Sequence, residues 1–296
     1  MTTVQNGILS DETQLARYMS FDLINAEAAK DCLIELQEVV DGQSVVVGLG
    51  LSLTMALDAN INGLHQMPVS TSAGIDIPST PNALWLWLRG NDRGELLHRS
   101  RKLEEILIAA FELSDVVEGC QYDKNRDLSG YEDGTENPEN DEALNAAIIQ
   151  GQGEGMDGGS FVAVQHWLHD FNMLDLMSEE ERDNVIGRHV SNNEEFESAP
   201  ESAHVKRGAQ ESFTPEAFML RRSMPWVDGM DGGLVFVSFG KSFDAFEAVL
   251  NKMIGNVDGI QDGLFNFTKP ITGAYFWCPP MKGERLDLSK LGIQVE

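Results

Sequence analysis

Apolar positions along the first 122 residues follow two rhythms in turn. Runs rich in β-branched and aromatic residues, at 16–24 (ARYMSFDLI), 44–52 (SVVVGLGLS), 83–89 (ALWLWLR) and 115–122 (DVVEGCQY), read as strands. In 83–89 the two tryptophans share one face and the leucines the other, the pattern of a strand buried on both sides. Residues 25–40 and 94–113 instead place apolar side chains three and four apart: Leu33, Leu36, Val39 and Val40 in one, Leu103, Ile106, Leu107 and Phe111 in the other. Each predicts a helix that lays one face on a sheet. The resulting order, βαββαβ, is that of a ferredoxin-like unit.

A second unit of the same plan starts after a polar, glycine-rich stretch. Its expected elements are a strand at 160–168, a helix at 178–188, strands at 218–226 and 234–240, a helix at 243–254 and a strand at 274–279. Ser178 and Glu181 form a capping box at the start of the first helix, each able to satisfy the other's backbone N–H. The expected organisation is therefore α+β, with two ferredoxin-like halves built on antiparallel sheets: residues 1–122, an ordered linker at 123–159, and residues 160–296. A linker this long inside a compact chain is functional or disordered. Tyr131 and a short helical pattern at 141–149 (DEALNAAII) favour order.

Composition narrows the classes. With 42% hydrophobic residues the chain can bury a core without staples, and Cys32, Cys120 and Cys278 form no CxxC pair. Forty-eight acidic residues against 21 basic ones give a net charge of −27, which repels phosphate backbones and anionic lipid, so neither nucleic acid nor membrane is an expected partner. The N-terminus lacks a basic segment followed by an apolar one, and no apolar run approaches the roughly 20 residues needed to cross a bilayer. A cytoplasmic protein is expected.

Residues 127–139, DLSGYEDGTENPE, crowd five carboxylates among glycine and proline breakers. Asp123, Asn125 and Asp127 occupy the first, third and fifth places of an EF-hand loop, but Leu128 stands where the sixth place needs glycine, and Gly134 where the twelfth needs glutamate. Two readings remain: turn-forming and helix-capping residues, or one carboxylate held at a ligand by flanking glycines that let the backbone come close.

The GxxDG within this loop, Gly130 to Gly134, resembles the signature of the dye-decolorizing peroxidases. Further pieces follow in that family's order: GGSFVAVQHWLHD (158–170), the helix ending VIGR (185–188), ESAHVKR (201–207) and LRRSMPW (220–226). The family is built from two ferredoxin-like halves in a dimeric α+β barrel-like superfamily, and the short form here is similar to its intracellular bacterial, class B-like branch. The resemblance implies one haem b per chain. It implies His204 as axial iron ligand, Asp133 as proton acceptor for peroxide, and Arg221 as the cation that stabilises the departing oxygen. Strand alternation sends Arg221 and Arg222 to opposite faces, the match through MPW selects Arg221, and Ser223 follows it into the pocket. Arg188 is a candidate for a haem propionate and Phe236 for the porphyrin face. A free aspartate, with a pKa of about 3.9, is expected to be ionised.

The implied activity is a peroxidase that reduces hydrogen peroxide and oxidises a broad range of electron donors, including dyes, phenolics and porphyrinogens. The alternative is a haem-binding, haem-storage or iron-releasing protein. A homo-oligomer is implied, and packaging in an encapsulin-type shell is a further possibility within the family.

Overall fold

In the computed structural model, which describes residues 2–72 and 74–294, the βαββαβ order is realised twice. The first run supplies β1 (Leu15–Leu23), β2 (Val45–Leu49), β3 (Leu84–Gly90) and β4 (Phe111–Cys120). The second supplies β5 (Ser160–His169), β6 (Met224–Asp228), β7 (Asp231–Gly240) and β8 (Ala274–Cys278). Side by side they run β2-β3-β1-β4 and β8-β5-β7-β6, with every pairing antiparallel. In both sets the first strand lies between the third and the last. Trp226 opposite Gly119 joins β6 to β4, and Trp277 opposite Leu49 joins β8 to β2, closing the eight strands into a barrel.

The alternation read from residues 83–89 sorts side chains between two layers. Trp85 and Trp87 point into the barrel, where they stack with Tyr18, Phe239 and Phe276 at ring separations of 5.8 to 6.4 Å. Leu84, Leu86 and Leu88 face outward and pack with Leu33 and Leu36 of the helix Ala26–Gln37 and with Leu103 and Leu107 of the helix Arg93–Leu107. Asn25 and Asp92 cap these helices by accepting from the backbone N–H groups of Glu27 and Glu95. In the second run the helix Glu179–Ile186 starts with the Ser178–Glu181 capping box and stops at Gly187, whose φ of +91° is left-handed. The helix Asp244–Met253 follows β7.

Three expectations are corrected and one unread element is added. The helix read over 94–113 ends at Leu107, and Phe111 begins β4 instead of closing a helical face. The cause is tertiary: β1 is nine residues long and pairs with β4 along its whole length, Leu23 lying opposite Phe111. The strand read over 44–52 ends at Leu49 because Gly50 opens a helix, Leu51–Ala56, and a Cβ at Gly50 would sit 2.0 Å from the Asn82 carbonyl oxygen. A short hairpin, Ser70–Ser72 with Ile75–Ile77, carried no sequence signal. The strand read over 218–226 is interrupted, Leu220–Arg221 and Met224–Asp228 both pairing with β7 in a single register, while at Arg222–Ser223 only the Arg222 N–H keeps a ladder bond, to the Val237 carbonyl, and the Val237 N–H turns to the Ser223 hydroxyl.

Candidate active site

The outer face of the second sheet is not covered as the first one is. Gln165 and Trp167 of β5 and Leu234 and Phe236 of β7 form one wall, and Phe246, Leu250 and Met253 of the helix Asp244–Met253 form another. Between them lies a largely apolar cavity with about 1040 Å³ of empty space, part of it open to solvent. Asp133, His204, Arg221 and Phe236, scattered over a hundred positions of sequence, all line it.

His204 opens the four-residue helix His204–Arg207. Its Nδ1 is 2.7 Å from Oδ2 of Asp262, a carboxylate only 2% exposed that also accepts the Leu264 N–H at 2.8 Å. Burial disfavours a charged ring here, but Asp262 outweighs it and His204 sits above the usual histidine range. With the Nδ1 proton committed to Asp262, Nε2 has no protein partner among the described residues. The cavity's other imidazole differs: His169 has Nε2 2.9 Å from Asp127 and Nδ1 2.7 Å from the Thr268 hydroxyl, so both ring nitrogens are engaged.

The loop that carries Asp133 bends at Gly130 and Gly134, with φ of +94° and +75°. Asp127 fixes its start, accepting from the Ser129 N–H as well as pairing with His169, while the Asp133 N–H donates to the Asn125 carbonyl at 2.9 Å. Asn137 fixes its end against the strand Leu220–Arg221: its Oδ1 accepts the Arg221 N–H at 2.8 Å and its Nδ2 donates to the Arg221 carbonyl at 2.7 Å. Asp133 and Arg221 are thereby presented to one space. The Arg221 guanidinium makes no ion pair among the described residues, and its buried Nε has no hydrogen-bond partner. Burial pushes the Asp133 carboxyl above the usual carboxylate range, Arg221 offsetting only part of that. The shift runs opposite to what the neighbouring guanidinium alone would give, because burial outweighs it.

The remaining candidates are distributed less simply. Ser223 does not line the main cavity; it lines a neighbouring cleft of about 410 Å³ that shares Asp133 and Arg221 with it. The interruption at Arg222–Ser223 explains the departure from strict alternation, the Ser223 hydroxyl lying 3.3 Å from the Val237 N–H as its acceptor. Arg188 also stays out of the cavity lining, bound to Glu136, Glu195 and the Asn193 carbonyl. Asp262, Asn137 and the Asp127–His169 pair escaped the sequence reading. Asp262 lies 58 residues from His204, and Asn137 84 from Arg221, so no local pattern joins either pair.

Comparison with known proteins identifies the family. Residues 124–283 match the family model described as Dyp-type peroxidase, C-terminal. A dye-decolorizing peroxidase of Brevibacterium linens is 30% identical over 272 residues, covering 86% of this chain and 74% of that protein. One of Rhodococcus erythropolis is 30% identical over 301 residues, covering 94% and 87%. A variant of Rhodococcus jostii RHA1 DypB, solved in complex with heme, superposes with a TM-score of 0.84 at 25% identity, covering 92% of this chain and 94% of that one. With the family model spanning more than half of the sequence, and relatives matched over most of their own length, the chain belongs to the Dyp-type, or dye-decolorizing, peroxidase family.

Proposed function

We propose that the protein is a haem peroxidase that binds one haem b in this apolar cavity, reduces hydrogen peroxide there and oxidises a broad range of electron donors. The carrying observation is the set of groups around that space: one imidazole with a free Nε2 and an aspartate behind it, one unpaired guanidinium, one desolvated carboxyl, and otherwise mostly apolar walls. This donor set fits haem. An iron needs one axial nitrogen, a porphyrin needs apolar faces, and a guanidinium without an ion-pair partner favours an anionic guest.

His204 would hold the iron through Nε2, with Asp262 on Nδ1 fixing the tautomer and raising the ring's basicity. Phe236, half-buried and packed on Phe246 at 5.9 Å, would lie against the porphyrin. Haem, when bound, would supply the redox chemistry by which peroxide gains two electrons and donors lose them one at a time. Asp133 takes the proton that peroxide loses on binding and delivers it to the departing oxygen. Its carboxyl must be ionised to begin, so its raised position places the acid limb of peroxide reactivity above the ordinary carboxylate value of about 3.9. Arg221, which keeps its charge at every working pH, stabilises the negative charge that develops as the O–O bond breaks. Ser223, in the adjoining cleft, is placed to order a water or an incoming peroxide beside this pair. Arg188, held by Glu136, Glu195 and the Asn193 carbonyl, would keep further N–H donors for a haem propionate.

The test is the absorption spectrum of the purified protein, loaded with haemin, before and after one equivalent of peroxide. A Soret band that shifts with peroxide and returns on adding a reducing dye is expected. A colourless protein that fails to take up haemin contradicts the proposal.

A further inference from the structure

Asp127 and Asp133 line the cavity from one loop, and peroxide cleavage uses only Asp133. Asp127 has 15% of its side chain exposed and accepts from the Ser129 N–H at 2.8 Å and from Nε2 of His169 at 2.9 Å. His169, at the end of β5, is 4% exposed, and Phe171 and Phe267 are set edge-on to its ring. Asp170, next in the chain, is spent on capping the helix Phe171–Leu176 through the Met173 N–H. Two neighbouring carboxylates in one apolar space disfavour each other's ionisation unless a cation stands between or beside them.

The Thr268 hydroxyl bears on the charge of the His169 ring. It donates to the Leu168 carbonyl at 3.1 Å, and with its one proton so used it accepts from His169, whose Nδ1 lies 2.7 Å away. Nε2 faces a carboxylate, which also only accepts. A ring that donates from both nitrogens is an imidazolium. Burial works against a charge on Asp127, but His169 and Ser129 overcome it and hold that carboxyl below the usual range. At Asp133 burial raises the carboxyl most, Arg221 opposes it, and Asp127 pushes the same way as burial. The other charges facing Asp133 are His204 on the cavity wall, Glu132 beside it, paired with Arg126, and Glu12 in the adjoining cleft, paired with Arg222.

We infer that Asp127 and His169 are a positioning pair for Asp133, a buried ion pair whose imidazolium cancels the loop's first carboxylate so that the second can ionise and take the proton from peroxide. This rests on the haem peroxidase reading. The pair carries no net charge, so it fixes the start of the loop without adding repulsion at Asp133. Were His169 neutral, with the Thr268 proton turned to Nδ1, the pair would carry a full negative charge and keep Asp133 protonated to higher pH.

Stopped-flow reaction of the haem-loaded protein with peroxide, followed against pH, tests this in wild type, His169→Gln, Asp127→Asn and the double variant. His169→Gln strands the Asp127 charge, so the acid limb should move up by about one pH unit. Asp127→Asn removes the partner that keeps the buried ring charged, leaving the pair neutral again, so the limb should stay where the wild type has it, and the double variant should return there. A merely structural pair would lower the rate at every pH without moving the limb. Independently of any variant, 15N spectra of histidine-labelled wild type in its diamagnetic ferrous carbon-monoxide form should show both ring nitrogens of His169 protonated. A limb that stays put in His169→Gln, that moves down in Asp127→Asn or that remains shifted in the double variant, or a single protonated nitrogen on His169, overturns the inference and leaves the peroxidase reading standing. Failure of the wild type to bind haem overturns both.

Discussion

The two halves of the barrel share a strand order and differ in what fills the space between sheet and helices. In the first half, helices of 12 and 15 residues press leucines onto leucines, and Leu33, Leu36, Leu86, Leu88, Leu103 and Leu107 are at most 2% exposed. In the second, the corresponding helices have 8 and 10 residues, and the gap they leave is the cavity lined by Asp133, His204 and Arg221. An unfilled apolar gap forfeits dispersion contacts on every wall. The second half can forgo them because a flat apolar guest would restore them and the first half carries an uninterrupted core. One plan, used twice, yields a clamp and a container.

The comparison breaks if chemistry and stability are not separable between the halves. Asp133→Ala should slow the reaction with peroxide by about 10²–10⁴-fold, the usual contribution of a positioned acid–base group, with haem retained. Stopped-flow absorption after mixing with peroxide measures it. In the other half, Leu86→Ala should cost about 2–5 kcal/mol, the range for deleting a buried leucine side chain. Urea unfolding reports that loss, while the haemin titration end-point stays where it was. Loss of haem binding in Leu86→Ala would show that the two halves do not divide the work.

Within the container, two finer changes sharpen the contrast between groups that act and groups that hold. Asp262→Asn leaves His204 in place but weakens its partner, and should lower haem affinity about 10–100-fold, as loss of a ligand's supporting carboxylate commonly does. Competition with apomyoglobin measures that affinity. Asp127→Asn touches a carboxylate whose burial is overcome by His169 and Ser129, so that it sits below the usual range. A depressed carboxyl contributes stability that is present above the unfolded value of about 3.9 and lost as pH falls through its folded value. Asp127→Asn should therefore cost about 1 kcal/mol at neutral pH, and the gap from wild type should close below pH of about 4. Asp133 has the reverse sign: its raised carboxyl loses stability as pH climbs from the unfolded value to the folded one, so Asp133→Asn should gain stability near neutrality.

Local physics was legible in the sequence, and long-range partners were not. Alternating Trp and Leu in 83–89 fixed which side chains enter the barrel, and the glycines around Asp133 marked a backbone bent toward something. Phe111 misled because helical spacing to Leu107 and strand pairing to Leu23 are both compatible with its sequence, and the nine-residue partner strand decided the matter. The support of the site is wholly non-local. Asp262 and Asn137 act across loops whose closure no short pattern encodes, and the raised carboxyl of Asp133 comes from burial that only the assembled walls produce.

The choice of His204 over His169 is the point on which the mechanism turns, since both imidazoles line the cavity beside an aspartate and only His204 keeps a ring nitrogen free. Titrating haemin into wild type, His204→Ala and His169→Ala, and following the Soret band, tests it directly. Saturation at one haem per chain in wild type and His169→Ala, with no histidine-ligated spectrum in His204→Ala, is the expected result. A His204→Ala protein that still gives the wild-type spectrum, or a His169→Ala protein that alone loses it, would contradict the account.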